Sequence, residues 1–237
     1  MNYLNFLILQ FIAHLLADFV FQSDKSENEI KERGGKSLAL ITHSITVLLL
    51  SWTFSLQWNF IIAAVIITSF HYIIDVINTA LNKNDKLKNI SFFIDQSFHL
   101  LVIFGVVTIF AKYFQFKPVI EIAFDTKTLL IAAAYLFCTK PTNILIKEIL
   151  KAYKIIISKN STDDIPNAGK LIGNVERILA LTLILNNQYE AVGFIIAAKS
   201  ILRFKDTDIN KPEYVLVGTL LSFGIVVIIG VLIQFYK

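Results

Sequence analysis

The chain alternates between long apolar runs and short polar loops, and six of the runs are long enough to form membrane-spanning helices. A helix that crosses a hydrocarbon core of about 30 Å needs roughly 20 apolar residues. The six runs are 3–21, 37–55, 59–82, 90–114, 128–147 and 213–236. Two further runs, 171–186 and 189–204, are shorter and interrupted by charged residues, so they form either two short spans or one re-entrant hairpin. The pattern predicts an all-α, polytopic transmembrane bundle of eight helices.

The chain is expected to have two parts. Residues 1–115 form a four-helix membrane core. Residues 116–237 form a second membrane half with a cytoplasmic linker at 151–170 and the two short helices, which carry Glu, Arg and Lys. Within the fifth run Lys140-Pro141 predicts a kink, because proline lacks the backbone N–H that a continuous helix uses.

Composition supports a membrane location. Of the 237 residues 55% are hydrophobic and only 17% are charged, and the mean hydropathy is +0.64, outside the range usual for soluble domains. The net charge of +4 comes from lysines in short loops, which indicates anchoring at an inner leaflet rather than binding to nucleic acid. Loop charge predicts the inner (cytoplasmic) membrane with the N-terminus outside, since Lys and Arg number four in 22–36 and none in 56–58. The lysines within 112–127 are an exception to this pattern.

All four histidines lie in the first four runs, one in each, and three have an aspartate four residues away. The pairs are His14 with Asp18, His71 with Asp75, and Asp95 with His99. Residues four apart share one face of a helix. Measured along each helix from its predicted cytoplasmic end, these six residues and His43 lie about 5–17 Å from the cytoplasmic face of the membrane. We therefore expect four helices to bring imidazole and carboxylate groups together at one depth.

A bound divalent cation would explain this cluster. An ionised aspartate near the membrane centre costs about 2.5–3.5 kcal/mol, and a cation compensates for it directly. Imidazole and carboxylate ligands favour zinc, with manganese or iron as alternatives, and the single cysteine, Cys138, excludes a thiolate cluster. The predicted ligands, for one or two metals, are His14, Asp18, His43, His71, Asp75, Asp95 and His99. A metal-free proton-relay core and a merely structural polar cluster stay open as alternatives.

Other polar residues are candidates for catalysis and substrate binding. Asp75 and Asp95 are the predicted catalytic residues, Asp95 as either ligand or general base. The predicted substrate-binding residues are Gln22, Lys25, Gln96, Glu176, Arg177, Lys199 and Arg203. Arg177, Lys199 and Arg203 are expected to hold an anionic group such as phosphate, and Glu176 to pair with Arg177 or Lys199.

Several of these motifs carry a resemblance to a known family. They are His14 to Phe19, Gln22, Lys25, His43, His71 to Asp75, Asp95-Gln96 and His99, with a later stretch of Gly169, Gly173, Glu176-Arg177, Ala198 to Ser200, Arg203-Phe204 and Glu213. Over nearly its whole length the chain resembles a bacterial membrane family known as domain-of-unknown-function family 3307. A looser likeness, carried by Thr42-His43-Ser44 and His71 to Asp75, is to membrane-bound metal-dependent hydrolases. The His-Arg-Gly lead-in of those enzymes is absent, because Leu38 to Ile41 stand there.

These observations favour a metal-dependent hydrolase that acts on a phosphate-containing or lipid-linked substrate at the cytoplasmic leaflet. One alternative is a transporter or channel for divalent metal or protons. Another is a non-enzymatic membrane sensor or assembly partner. The expected partner is a membrane lipid or a lipid-linked small molecule, with a homo-oligomer left open, and the chain has no glycine-rich phosphate loop and no nucleophile elbow.

Overall fold

A computed structural model describes residues 2–85, 87–114, 119, 125–155, 168–203 and 211–236, the last few residues of α9 and the first of α10 by their backbone alone. Every regular element in these ranges is helical. The α-helices are α1 (Tyr3–Leu15), α2 (Asp24–Arg33), α3 (Leu38–Ser55), α4 (Ile61–Lys83), α5 (Ser91–Tyr113), α6 (Thr126–Phe137), α7 (Lys140–Ala152), α8 (Ala168–Leu185), α9 (Tyr189–Arg203) and α10 (Lys211–Phe235). The all-α prediction is confirmed for the part of the chain described.

Five helical stretches are long and apolar enough to cross a membrane. They are Tyr3–Phe21, Leu38–Ser55, Trp58–Lys83, Ser91–Tyr113 and Leu216–Phe235. The sixth predicted span, 128–147, is two helices, α6 and α7, bent by 54° at a short break, and it adds a sixth crossing only if this pair counts as one. The two shorter predicted helices are present as α8 and α9, and neither meets the same criteria of length and apolarity.

The break between α6 and α7 has a local cause. Pro141 stands at the start of α7 and has no N–H to donate to the carbonyl of Phe137, four residues earlier. The hydroxyl of Thr142 donates to that carbonyl instead, at 2.6 Å. Thr142 is fully buried, so the substitute hydrogen bond lies in the interior. The kink predicted at Lys140-Pro141 is confirmed.

The loop predicted at 22–36 contains a helix, α2. The Ser23 side chain accepts a hydrogen bond from the N–H of Ser26 and caps its first turn, and its one buried residue, Ile30, packs against Leu40 of α3. The hydrogen bond that Glu29 accepts from the Ser37 hydroxyl lowers the pKa of this carboxyl group. Because α2 consists almost entirely of polar and charged residues, it does not appear among the apolar runs of the sequence.

The described chain forms two compact units, Met1–Ala133 and Ala134–Lys237. In the first unit α1 packs on α3 and α5, and α4 packs on the same two helices, which makes a ring of four. In the second unit α8 packs on α7, α9 and α10. The predicted assignment of separate roles to residues 1–115 and 116–237 stays a prediction, and most of the predicted linker 151–170 lies outside the described residues.

One end of the first unit is closed by aromatic rings. Phe6, Phe60 and Phe110 are buried, and their ring centroids lie 4.9–5.8 Å apart. Val107 and Ala64 pack in the same cluster and are fully buried. Because α1 and α4 enter this cluster by their first turns and α3 and α5 approach it by their last, the four helices run alternately up and down.

Gly230 provides a test of the packing in the second unit. A Cβ atom at Gly230 would lie 2.6 Å from Cγ2 of Ile184, whereas a Cβ at Gly224 of the same helix would meet nothing within 4 Å. We expect Gly230→Ala to lower the free energy of unfolding by about 1–3 kcal/mol through overpacking, seen as a lower melting temperature of the purified protein. Gly224→Ala is the matched control and should leave the melting temperature unchanged or slightly higher. Equal melting temperatures for the two variants would contradict this packing.

Candidate metal centre

The four helices of the first unit bring the histidines and aspartates together at the end opposite the aromatic cluster. Asp18 lies on a π-helix, Leu16–Phe21, that directly continues α1. The wider turn of a π-helix re-aims side chains and is frequent at functional sites. His43 lies in the first half of α3, His71 lies at the middle of α4 with Asp75 one turn later, and Asp95 and His99 lie in the first half of α5. The sequence predicted this convergence, because the seven residues are expected at one depth of the membrane.

One oxygen of Asp18 faces three imidazole rings. Its Oδ1 lies 3.6 Å from Nδ1 of His14, 3.6 Å from Nε2 of His43 and 3.5 Å from Nε2 of His71. Within the described residues this oxygen is buried and has no hydrogen-bond partner. Three nitrogens therefore surround one acceptor without any of them bonding to it.

These spacings match those around a bound metal ion. Ligand atoms held about 2.0–2.1 Å from a zinc ion lie roughly 3.0–3.5 Å from one another, a range whose lower end overlaps that of hydrogen bonds. The nitrogens around Asp18 Oδ1 lie at or just beyond this range, and the Nε2 atoms of His43 and His71, 3.0 Å apart, are within hydrogen-bond distance of each other. His14, Asp18 and His71 each offer one ligand atom within 4.8 Å of the others. The arrangement is able to hold a divalent cation.

Gln96 fixes the orientation of His14. The Nε2 amide of Gln96 donates to Asp18 Oδ2 at 3.3 Å and to Asp95 Oδ2 at 3.2 Å, so its oxygen is the atom that lies 3.2 Å from Nε2 of His14. In a neutral ring Nε2 of His14 then carries the proton, and Nδ1 directs a lone pair toward Asp18 Oδ1. Two lone pairs that face each other repel, and a cation between them removes the repulsion. Gln96 therefore orients the candidate ligands, and its predicted contact with substrate stays a prediction.

The remaining candidates form a neighbouring group around Asp75. Its Oδ2 lies 3.6 Å from Nε2 of His71 and 3.9 Å from Nε2 of His43. Its Oδ1 lies 3.7 Å from Nε2 of His99, whose Nδ1 lies 3.7 Å from Oδ2 of Asp95. Asp75, Asp95 and His99 also each offer one ligand atom within 4.8 Å of the others. Asp75 thus lies between two groups of ligands.

The cluster is buried and lacks a basic partner. The side chains of the three aspartates are 8–14% exposed, and those of the four histidines are at most 4% exposed. Among the described ion pairs the aspartates meet only histidines. Lysine and arginine therefore do not supply the compensating charge in the described part of the chain, which leaves protonated imidazole, protonation of the carboxyl groups themselves, or a bound cation.

Comparison with known proteins places the chain in a family. The family described as "Protein of unknown function (DUF3307)" matches residues 6–151, which is more than half of the chain and includes all seven cluster residues. The chain belongs to this family. The similarity expected for the later stretch, from Gly169 to Glu213, lies beyond the matched residues. No curated protein and no solved structure matches the chain.

The other predicted substrate-binding residues, in the first unit and in the second, differ in their surroundings. Gln22 is half-buried at the end of the π-helix, and Lys25 is exposed in the first turn of α2. In the second unit Lys199 forms an ion pair with Glu176, one of the two partners expected for this carboxylate. Arg203 ends α9, and its side chain lies outside the described residues.

Arg177, predicted to bind an anion, is engaged by neutral groups of the protein. Its Nε donates to the carbonyl of Cys138 at 2.6 Å, Nη1 donates to the Ser222 hydroxyl at 3.1 Å, and Nη2 donates to the side-chain oxygens of Asn143 and Asn174. The residue is only 2% exposed. The acceptor at Cys138 belongs to the break that ends α6, where a cation is favourable. This geometry favours a structural role for Arg177 in holding the broken helix.

The partners of Arg177 were not apparent from the sequence. Asn143, Asn174 and Ser222 come from three different helices and have no shared spacing. The one local signal is Gly173, where a Cβ atom would lie 3.1 Å from Nη1 of the guanidinium. A small residue four positions before a buried arginine was the only hint of this packing.

Replacing Arg177 tests its structural role. We expect Arg177→Met to lower the free energy of unfolding by more than about 2 kcal/mol, because the carbonyl of Cys138 and the two asparagine oxygens lose a buried donor. Lys199→Met is the comparison, since it removes a partly exposed ion pair worth about 1 kcal/mol or less. Thermal unfolding of the two purified variants measures both. A melting temperature for Arg177→Met at or above that of Lys199→Met would contradict the structural role.

Proposed function

We propose that the chain is an integral membrane protein that holds a divalent cation, zinc first, between Asp18 and the imidazoles of His14, His43 and His71. The observation that carries this proposal is the buried Asp18 Oδ1, which three imidazole nitrogens surround at 3.5–3.6 Å without a hydrogen bond. The membrane location is supported by the five long apolar helices. From the loop charges we infer the inner membrane with the N-terminus outside.

The chemistry that we propose is hydrolysis of a phosphate ester. A zinc ion held by these residues would supply a coordinated water whose pKa is lowered toward ~7, and so a nucleophile at neutral pH. We assign the uptake of that water's proton to Asp75, because its Oδ2 is buried, has no hydrogen-bond partner in the described structure, and lies 3.6 Å from Nε2 of His71. The water oxygen bonds to phosphorus, the bond from phosphorus to the ester oxygen breaks, and the proton passes to the leaving oxygen.

A groove beside the cluster supports a lipid substrate. It has a volume of about 380 Å³ and lies between α3 and α4, where it is lined by Ser44, Leu48, Val65, Thr68, Ser69, Tyr72 and Ile73. Ser44 directly follows His43, and Tyr72 directly follows His71. The hydroxyls of Ser44, Ser69 and Tyr72 donate to backbone carbonyls. The lining therefore presents mainly apolar surface, which suits a hydrocarbon chain.

The aromatic cluster at the far end of the first unit favours catalysis over transport. A path through the four-helix ring would have to pass Phe6, Phe60 and Val107, all fully buried. Their rings and methyl groups offer a cation no ligand, and desolvating an ion there is costly. An enzyme needs access from one side only. The anionic part of the substrate is assigned to the metal itself, because Arg177 and Lys199 already have partners.

Phosphate release from a lipid tests this function. We expect the full-length protein in phosphatidylcholine vesicles to release inorganic phosphate from dioleoyl phosphatidic acid in a zinc-dependent reaction. His71→Ala should lower the rate at least about 100-fold, because changes to residues that only orient metal ligands already cost 10–100-fold. Ser97→Ala, at an exposed position of α5, should leave the rate unchanged.

Two outcomes would count against hydrolysis. A zinc-loaded protein that releases no phosphate from this lipid contradicts it. Zinc uptake into sealed vesicles that requires His71 would instead support the transporter.

A further inference from the structure

His99 has an environment that the proposed zinc site does not explain. Its side chain is 1% exposed, and within the described residues neither ring nitrogen has a hydrogen-bond partner. A buried imidazole normally donates one hydrogen bond and accepts another. The ring stacks on that of His71, with centroids 3.9 Å apart and planes inclined by 21°. Stacking satisfies neither nitrogen, so another ligand is needed.

Two carboxylates lie beside the unpartnered nitrogens. Asp75 Oδ1 is 3.7 Å from Nε2 of His99, and Asp95 Oδ2 is 3.7 Å from Nδ1. Asp95 Oδ1 is buried and also lacks a hydrogen-bond partner within the described chain. Both carboxylate–imidazole distances exceed a hydrogen bond. An imidazole binds one ion through one nitrogen only, and Asp75, Asp95 and His99 each offer one ligand atom within 4.8 Å of the others.

We propose that Asp75, Asp95 and His99 hold a second divalent cation beside the first. This inference rests on the proposed function, because it takes the first cation to be bound by Asp18, His14, His43 and His71. Asp75 binds the second ion through Oδ1, which faces His99, and keeps Oδ2, which faces His43 and His71, as the proton acceptor of the proposed reaction. The two sites together use all seven side chains, and each ion is bound by at least one carboxylate and one imidazole.

The two sites differ in the number of protein ligands. The first is proposed with four ligands and the second with three, which is the number usual in catalytic sites with a place left for water or substrate. Two ions held side by side suit hydrolysis of a phosphate ester, because they stabilise both the attacking and the leaving oxygen. We therefore expect the second cation to contact the substrate together with the first.

Metal content tests the second site separately from the first. Full-length protein purified in detergent, saturated with zinc and then desalted should contain about two zinc ions per chain by elemental analysis. His99→Gln should contain about one, and Ser97→Ala, the matched control on the same helix, about two. Cobalt loading gives a second readout, because His99→Gln should keep the absorption bands of the first site and thereby show that it is folded.

The outcomes separate the two proposals. One zinc per chain in the wild type, unchanged in His99→Gln, would overturn the second site and leave the proposed function standing. No zinc in the wild type would overturn both. Two ions in the wild type that both persist in His99→Gln would also contradict the assignment of His99.

Discussion

In the first unit three carboxylates are buried among four imidazoles. The stability of the unit depends on how the negative charge of these carboxylates is compensated. Asp18, Asp75 and Asp95 lie inside a ring of apolar helices, and among the described residues only histidines pair with them. A buried carboxylate without compensation opposes both folding and membrane insertion. A cation at this place would tie α1, α3, α4 and α5 to one point, so a single interaction would serve both stability and chemistry.

The rest of the unit is arranged around that requirement. Packed rings of Phe6, Phe60 and Phe110 close one end and leave the polar half at the other. At the polar end α2 packs on α3 and α4 through Ile30. Gly34 has a φ of +57°, and a Cβ there would lie 3.2 Å from Oγ1 of Thr79, so the turn after α2 is suited to glycine. The group of histidines and aspartates therefore lies between the aromatic cluster at one end of the unit and the short amphipathic helix α2 at the other.

Much of this centre was predictable because it follows from helical periodicity. A spacing of four residues places His14 with Asp18, or His71 with Asp75, on one face, and apolar run lengths set their depth. Pro141 likewise predicts a break in its helix, because proline has no N–H to donate to the carbonyl four residues earlier. Such features depend on residues that are close in sequence.

The features that sequence reasoning missed depend on contacts between distant residues. The π-helix that aims Asp18 has no local signature in Leu16–Phe21. The hydrogen bonds of Gln96 to His14 and Asp18 join residues some 80 positions apart. The neutral acceptors of Arg177 likewise come from other helices. Only the folded chain shows which polar groups are already satisfied.

X-ray absorption at the zinc K-edge of the full-length, zinc-loaded protein tests the central claim most directly. We predict a first shell of nitrogen and oxygen at about 2.0–2.2 Å, together with the outer-shell scattering of several imidazole rings. A shell of sulfur at about 2.3 Å, or a spectrum of hydrated zinc without imidazole, would contradict the account.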